Sequence, residues 1–376
     1  MGGPGAGGHM RAVVIGGGPA GAAAGWSLAR RGHEVTILEA RAFPRPACCG
    51  EYVSPGAAPL LERILPAATL SAHGARSVDR LVLEAGPRRL AWRTARPGWA
   101  LSRETLDRLL LAAAGAAGCR VIQPGLARSA VCDDAGAEVL LATGQGVRAD
   151  IVVHADGHGR HDAHGPAALR RGVVALKCHG RARSAPGGVC LRACPGAYVG
   201  TLGVEGGVGA CALVARASIL RAAHAHPDRV LAGLAPELGW QRDGPWVSTG
   251  VARAAYRRSG HVRSFRVGNA AGAPEPVGGE GIGLALWSGV RLGELLAEAR
   301  GDDPGALRTA GAVLAREHRR ELRLRGWVCL LTGLALERPA LVGAAWPLLG
   351  RGGLVAGPWA IATGKGPLAV PRPASR

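Results

Sequence analysis

Lysine, methionine and single-ring aromatics are scarce in this chain. Among 46 basic residues only Lys177 and Lys365 are lysines, and there are two Met, two Phe and three Tyr. The formal charge is nevertheless +19. Such a charge would suit nucleic acid, but the arginines are scattered and no RNP-like aromatic motif, zinc finger or basic tail accompanies them. Arginine in place of lysine, with abundant Ala and Gly, follows GC-rich codon usage rather than selection for phosphate contacts. Nucleic acid is therefore not an expected partner, although a positive surface still favours anionic cofactors or lipid headgroups. Long apolar runs are missing too. The uncharged stretches Gly326–Leu336, Pro339–Gly350 and Gly352–Gly364 each fall short of the roughly 20 residues a bilayer span needs. A signal peptide of the usual form is absent. The expected location is cytoplasmic, with contact to a membrane surface left open. Nine cysteines at irregular spacings include Cys190 and Cys194, but no second Cys or His pair completes a zinc site. They read as small buried hydrophobes in a reducing compartment, and no metal is expected.

At 376 residues the chain can bury a full core and is expected to form two closely joined domains as a monomer. Met1–Met10 is glycine-rich and reads as a disordered, tag-like leader with Met10 as the native start. The segment just after Met10 is the most informative in the chain. Residues 12–39 comprise an apolar strand, the loop Gly16-Gly17-Gly18, a helix of small residues, and a second strand ending on Glu39. Gly16, Gly18 and Gly21 keep the G-x-G-x-x-G spacing, with the acid about twenty residues on. Gly16 permits the tight turn, Gly18 lets backbone approach a pyrophosphate, and Gly21 lets the helix lie close to the strand. The helix start, including Ala20, offers N–H groups and a positive dipole end to phosphates. Glu39 can accept from a ribose hydroxyl pair. The segment predicts dinucleotide binding.

Further along, the pattern predicts a hairpin of Ser77–Leu83 with Arg89–Trp92, turning at Gly86-Pro87. Ser102 N-caps a helix to Ala117 with Leu106, Leu109, Leu110 and Ala113 as its apolar face. A strand at Arg120–Gln123 precedes a β-meander over Val131–Val153. Gly172–Ala215 reads as a separate antiparallel sheet, Ser218–Leu234 as one helix, and Ser264–Gly268 as a strand that resumes the nucleotide fold. Helices are expected at about 281–299 and 305–325, the second strongly basic. The expected class is α/β: a Rossmann-like domain interrupted by an antiparallel-sheet domain, with a helical C-terminus. The boundaries are 11–76, 96–170 and 262–300 for the nucleotide domain, 77–95 and 171–261 for the sheet domain, and 301–376 for the helical region.

Four segments, in order, resemble the FAD-dependent oxidoreductases of the aromatic-hydroxylase fold. They are the glycine loop with Glu39; Leu101-Ser102-Arg103-Glu104-Thr105-Leu106-Asp107; Ala155-Asp156-Gly157; and Val267-Gly268-Asn269-Ala270-Ala271-Gly272 followed by Pro274 to Ile282. The last is similar to the family's second flavin motif, with Asn269 where the family has Asp. An Asn carbonyl accepts more weakly than a carboxylate, by about 1 kcal/mol. A closer likeness, to geranylgeranyl-reductase-like flavoproteins, rests on Phe43-Pro44-Arg45-Pro46-Ala47-Cys48-Cys49-Gly50-Glu51-Tyr52-Val53-Ser54-Pro55, where Pro46 replaces the pattern's Lys. Gly196–Gly200 followed by Val204–Gly207 adds to it. The resemblance implies FAD held by Gly16, Gly18, Ala20, Gly21, Glu39, Arg45, Arg103, Asp156, Gly157, Gly268, Asn269, Gly279, Gly281 and Ile282.

The flavin would be the reactive centre, so no catalytic triad is expected. Cys49 reads either as a proton donor or as a buried thiol, and Cys48 as structural. Tyr198 and Glu205 are candidates for lining a substrate cavity. Glu280 either faces the active site or caps the following helix. His158, His161 and His164 read as a solvated loop. The expected activity is NAD(P)H-driven, FAD-dependent oxidation or reduction of a small apolar substrate of prenyl or polyketide type. The alternative is an oxygen-dependent monooxygenase, and a third is a non-catalytic FAD-binding protein. A flavin halogenase is disfavoured, for want of a Trp-x-Trp-x-Ile-Pro motif and a suitably placed lysine.

Overall fold

A computed structural model describes residues 9–157, 172–183, 187–224, 226–250, 256–299, 303–350 and 356–365. His158, His161 and His164 lie outside them. Five strands form a parallel sheet: β1 (Arg11–Ile15), β2 (Glu34–Leu38), β6 (Arg120–Ile122), β10 (Ile151–His154) and β16 (Ser264–Arg266), in the order β16-β10-β1-β2-β6. Their near-continuous Val/Ile runs suit a sheet buried on both faces. β16 pairs in parallel with β10, at Val153 opposite Phe265, so the nucleotide fold does resume near residue 264. A small meander of β7 (Ala127–Cys132), β8 (Ala137–Leu141) and β9 (Gly146–Ala149) forms its own three-stranded sheet. The predicted meander is thus shorter than Val131–Val153, because β10 leaves it to join the parallel sheet.

The helix after β1, α1 (Pro19–Ala29), is almost wholly buried. It lies under α7 (Gly281–Glu298), where a Cβ at Gly289 or Gly293 would collide with α1 at Ala20 and Ser27. Small residues on both helices allow that approach. The seam is fixed by the Ser27 hydroxyl, which donates to the Val290 carbonyl at 2.9 Å.

The second sheet has eight strands, ordered β15-β11-β14-β13-β12-β4-β5-β3. They are β3 (Tyr52–Val53), β4 (Arg76–Ala85), β5 (Arg88–Ala100), β11 (Val173–Arg181), β12 (Val189–Cys194), β13 (Ala197–Gly203), β14 (Gly209–Arg216) and β15 (Gln241–Gly250). β5 runs on to Ala100 and β3 also belongs here, so this sheet claims residues assigned by sequence to the nucleotide domain. Alternation along β11 divides its faces. Val174, Leu176 and Cys178 pack under α5 (Ala217–Ala222) and α6 (Pro227–Leu234). Ala175, Lys177 and His179 take the opposite face. Pro227 ends the single helix expected over 218–234, since the residue before proline is pushed out of helical backbone; His226 is extended, with φ −96° and ψ 97°.

Three further helices complete the cofactor side: α2 (Ala58–Ile64), α3 (Ala67–Ala72) and α4 (Arg103–Ala116). The C-terminal region is α8 (Pro304–Leu336), α9 (Pro339–Gly350) and α10 (Ala356–Ala362), with a 115° bend between α8 and α9. Among the described residues no single helix is long and apolar enough to cross a membrane. Met10, assigned by sequence to the leader, is buried in the core beneath the parallel sheet.

Candidate functional site

The glycine loop behaves as its spacing predicts. Gly16 has φ +109°, and a Cβ there would strike the Ala155 carbonyl. A Cβ at Gly21 would overlap the Gly16 carbonyl oxygen. Above Gly18 the nearest atoms to such a Cβ are the guanidinium tips of Arg45 at 3.5 Å and Arg103 at 3.8 Å. Gly18 caps α1 with no side-chain bond, so the amides of Ala20 and Gly21 face a space bordered by two cations. That space suits a pyrophosphate.

Glu39, at the end of β2, accepts from Gly17 N–H at 2.9 Å and Arg41 N–H at 3.0 Å. Arg45 pairs with Glu39 at 3.2 Å and reaches Asp107 at 3.4 Å, its guanidinium lying 4.9 Å over the Phe43 ring. Arg103 grips Asp107 bidentately at 2.7 and 2.8 Å. Burial disfavours the Arg103 charge, but Asp107 more than restores it and pushes its pKa up. Asp107, part of the Leu101–Asp107 motif but not among the residues expected to hold FAD, completes this arginine–carboxylate network at i, i+4 from Arg103.

The flavin-side segment meets the glycine loop in space. A Cβ at Gly268, whose φ is +59°, would press on Ala20 at 2.6 Å. Asn269 is half-buried in the adjoining turn. Asp156 and Gly157 follow β10, Gly157 with φ +72°. Gly279 has φ +65°, Ile282 is buried, and a Cβ on Gly281 would meet nothing within 4 Å. The start of α7 is therefore open. These residues fit FAD: the adenosine-side acid, a cationic phosphate cradle and an open helix start are contributed by segments some 250 residues apart.

Between this cradle and the antiparallel sheet lies a charged cluster of three residues. Glu51 is 0% exposed and holds left-handed backbone, φ +60°. Its carboxylate accepts from Lys177 Nζ at 2.8 Å, His179 Nε2 at 2.7 Å and Arg103 N–H at 3.0 Å. Burial alone would raise the Glu51 pKa, but the bonds from His179 and Lys177 outweigh it and hold it below the usual range. Lys177 is 2% exposed, whereas the His179 side chain is 21% exposed, making it the most open of the three. The sequence offered no suitably placed lysine, and Lys177 comes to this cluster from β11. The signal was Lys177-x-His179 on one face of an apolar strand, but its partner Glu51 is visible only in three dimensions.

Cys49 is half-buried, accepting from Glu51 N–H at 3.4 Å and touching the Arg103 guanidinium. Cys48 donates to the Ala175 carbonyl at 3.5 Å, and burial pushes its thiol up to about 12, as a structural cysteine requires. The remaining candidates are engaged elsewhere. Tyr198 is buried and donates to Glu275 at 2.8 Å; burial, then Glu275, raises its pKa well above the ordinary phenol value. Glu280 neither caps α7 with its side chain nor stands open, because Lys365 and Arg325 each pair with it at 3.2 Å. Glu205 is half-buried. It accepts from Ser102 N–H at 2.8 Å and the Thr105 hydroxyl at 2.7 Å, pinning the start of α4.

Residues 9–173 match the family model of the FAD binding domain. That match covers less than half of the chain. Curated relatives align over short stretches: menaquinone reductase of Mycolicibacterium smegmatis is 41% identical over 68 residues, 17% of each chain. Tryptophan 2-halogenase of Chondromyces crocatus is 33% identical over 115 residues, 30% of this chain and 22% of that one. The alignments thus span less than a quarter of either relative. Among solved structures, the flavin-dependent brominase Bmp2 superimposes with TM-score 0.75 at 16% identity, covering 95% of this chain and 94% of that one. A variant of P. aeruginosa PqsL gives 0.76 at 17% identity, over 90% and 100%. Both share the fold. The matched segment is thus similar to FAD binding domains, and a halogenase and a reductase are among the proteins it resembles. The geranylgeranyl-reductase branch is not singled out.

Proposed function

We propose that this flavoprotein reduces an apolar organic molecule, of prenyl or polyketide type, with NAD(P)H as the source of electrons. The observation that carries the reading is the buried Lys177–Glu51–His179 cluster beside Cys49 and Arg103. FAD, when bound by the glycine loop, Arg45 and Arg103, would supply hydride-transfer chemistry. Hydride addition to a C=C or C=O bond calls for a proton on the partner atom, supplied by a side chain within reach.

His179 is suited to hold that proton at Nε2, which lies 2.7 Å from Glu51 Oε2 and 2.8 Å from Lys177 Nζ. With a proton, Nε2 donates to Glu51. Without it, the nitrogen lone pair accepts from the Lys177 ammonium. Both states have a partner, so the proton can leave without stranding a buried group. Cys49 is the second candidate donor. Arg45 and Arg103 bind and orient the phosphates, and the sheet excludes water.

Purified holoprotein mixed anaerobically with NADPH or NADH tests this reading. Bleaching of the flavin absorbance, then reoxidation by oxygen to peroxide alone, is expected. No bleaching with either nucleotide would overturn the role of NAD(P)H. A second reading, oxygen-dependent hydroxylation or halogenation, is favoured by the likeness to tryptophan 2-halogenase. Product formation that requires oxygen would select it.

A further inference from the structure

We propose that a groove along α8 is a binding site for an amphiphile with an acidic head, a carboxylate or phosphate on an apolar body. The groove encloses about 420 Å³ between α8 and Ala273–Glu275, the strip leading into the flavin-side turn. From α8 it takes Arg319, Arg323, Trp327 and Leu330. Offsets of three and four keep these on one helical face, so the wall grades from cationic to apolar along its length. At the head end both arginines are exposed, and neither has a carboxylate partner among the described residues. Arg319 lies 5.5 Å over the Tyr256 ring, and Arg258 and Arg266 also act on that phenol. Two like charges one turn apart repel, and a bound anion removes that repulsion.

At the tail end Trp327 is 63% exposed, an unusual position for an indole. Gly326 leaves the wall recessed, since a Cβ there would meet nothing within 4 Å. With a rise of about 1.5 Å per residue, Arg319 to Leu330 spans roughly 16 Å, the length of an extended twelve-carbon chain. The wall also carries a carboxylate, Glu275, but it is 3% exposed and accepts from Tyr198 on the sheet side. Behind the groove wall His318 is fully buried, its ring 5.5 Å from that of Tyr256 and 5.7 Å from that of Trp287, and among the described residues neither ring nitrogen has a hydrogen-bond partner.

The inference does not rest on the proposed reaction, and binding is measured without turnover. The test uses the full FAD-loaded chain and isothermal titration with monomeric dodecyl phosphate, dodecanoate and dodecan-1-ol. At least one acid is expected to bind ten-fold or more tighter than the alcohol, and the tighter of the two identifies the head. Arg319→Gln with Arg323→Gln should erase that difference, and Gly326→Leu should weaken all three ligands ten-fold with FAD still bound. Equal binding of acids and alcohol, or arginine variants without effect, would overturn the proposal. Binding only to phosphatidylglycerol vesicles, with none of the monomeric acids, would overturn it in favour of a membrane-contact surface.

Discussion

Glu51 carries three burdens at once: left-handed backbone, complete burial and a negative charge. Each costs free energy, and only the donors from Lys177, His179 and Arg103 make the arrangement stable. Replacing Glu51 by Gln strands the Lys177 ammonium, and urea unfolding should register a loss of about 3–5 kcal/mol. Adding Lys177→Met should recover much of it; no recovery would mean that the two charges are not coupled. Because the Glu51 pKa is held below its unfolded value, its contribution is fully present above that value and fades as pH falls through the folded one. His318 gives a second acid-sensitive term. Burial lowers its pKa from 6.5 to about 4, so the unfolded chain takes up a proton first as pH drops. Stability should be flat above pH 6.5 from this source and lower by about 2 kcal/mol at pH 5. In urea titrations at the two pH values, His318→Phe should flatten that slope. At His179, a Gln substitution should leave flavin bleaching by nicotinamide unchanged yet slow substrate reduction by about 10²-fold or more, measured in the separate half-reactions.

Local rules govern the elements unevenly. The glycine loop was legible because each glycine answers a steric demand that spacing alone reveals. It yields a contrast measurable by flavin absorbance and circular dichroism. Gly21→Ala, which collides with backbone, should lose both fold and FAD, whereas Gly18→Ala, facing only guanidinium tips, should keep the fold and bind FAD more weakly. The cap at Ser102 was legible too. Its side chain accepts from Thr105 N–H at 3.2 Å, and Ser102→Ala should cost about 1 kcal/mol in urea unfolding. The C-terminal end of α8 was not. A break near residue 325 was expected, yet the helix runs unbroken through Gly326 to Leu336. A helical glycine costs only about 1 kcal/mol, and burial of Cys329 and Leu336 beyond it outweighs that. Pro227, by contrast, was a readable stop that a single-helix reading passed over.

At the scale of the molecule, the glycine loop and the turn at Gly268 meet in space, with most of the antiparallel sheet lying between them in sequence. The order of motifs made this division readable from the sequence. The chemical residues were harder: Tyr198, Glu205 and Glu280 look available in the sequence and prove committed to Glu275, Ser102 and Lys365. Which polar groups remain open depends on contacts across more than a hundred residues, and no local pattern encodes those. FAD at 100 times its dissociation constant should add about 2.7 kcal/mol to global stability, visible as a concentration-dependent rise in melting temperature. The seating of Gly268 on Ala20 has one more consequence, in time rather than space. A ribosome that has released the first two hundred residues has displayed the glycine loop without the segment that closes over it. If FAD binds as proposed, its capture is an event of late synthesis, and a transcript cut before codon 268 would leave the glycine loop without the turn that seats on Ala20.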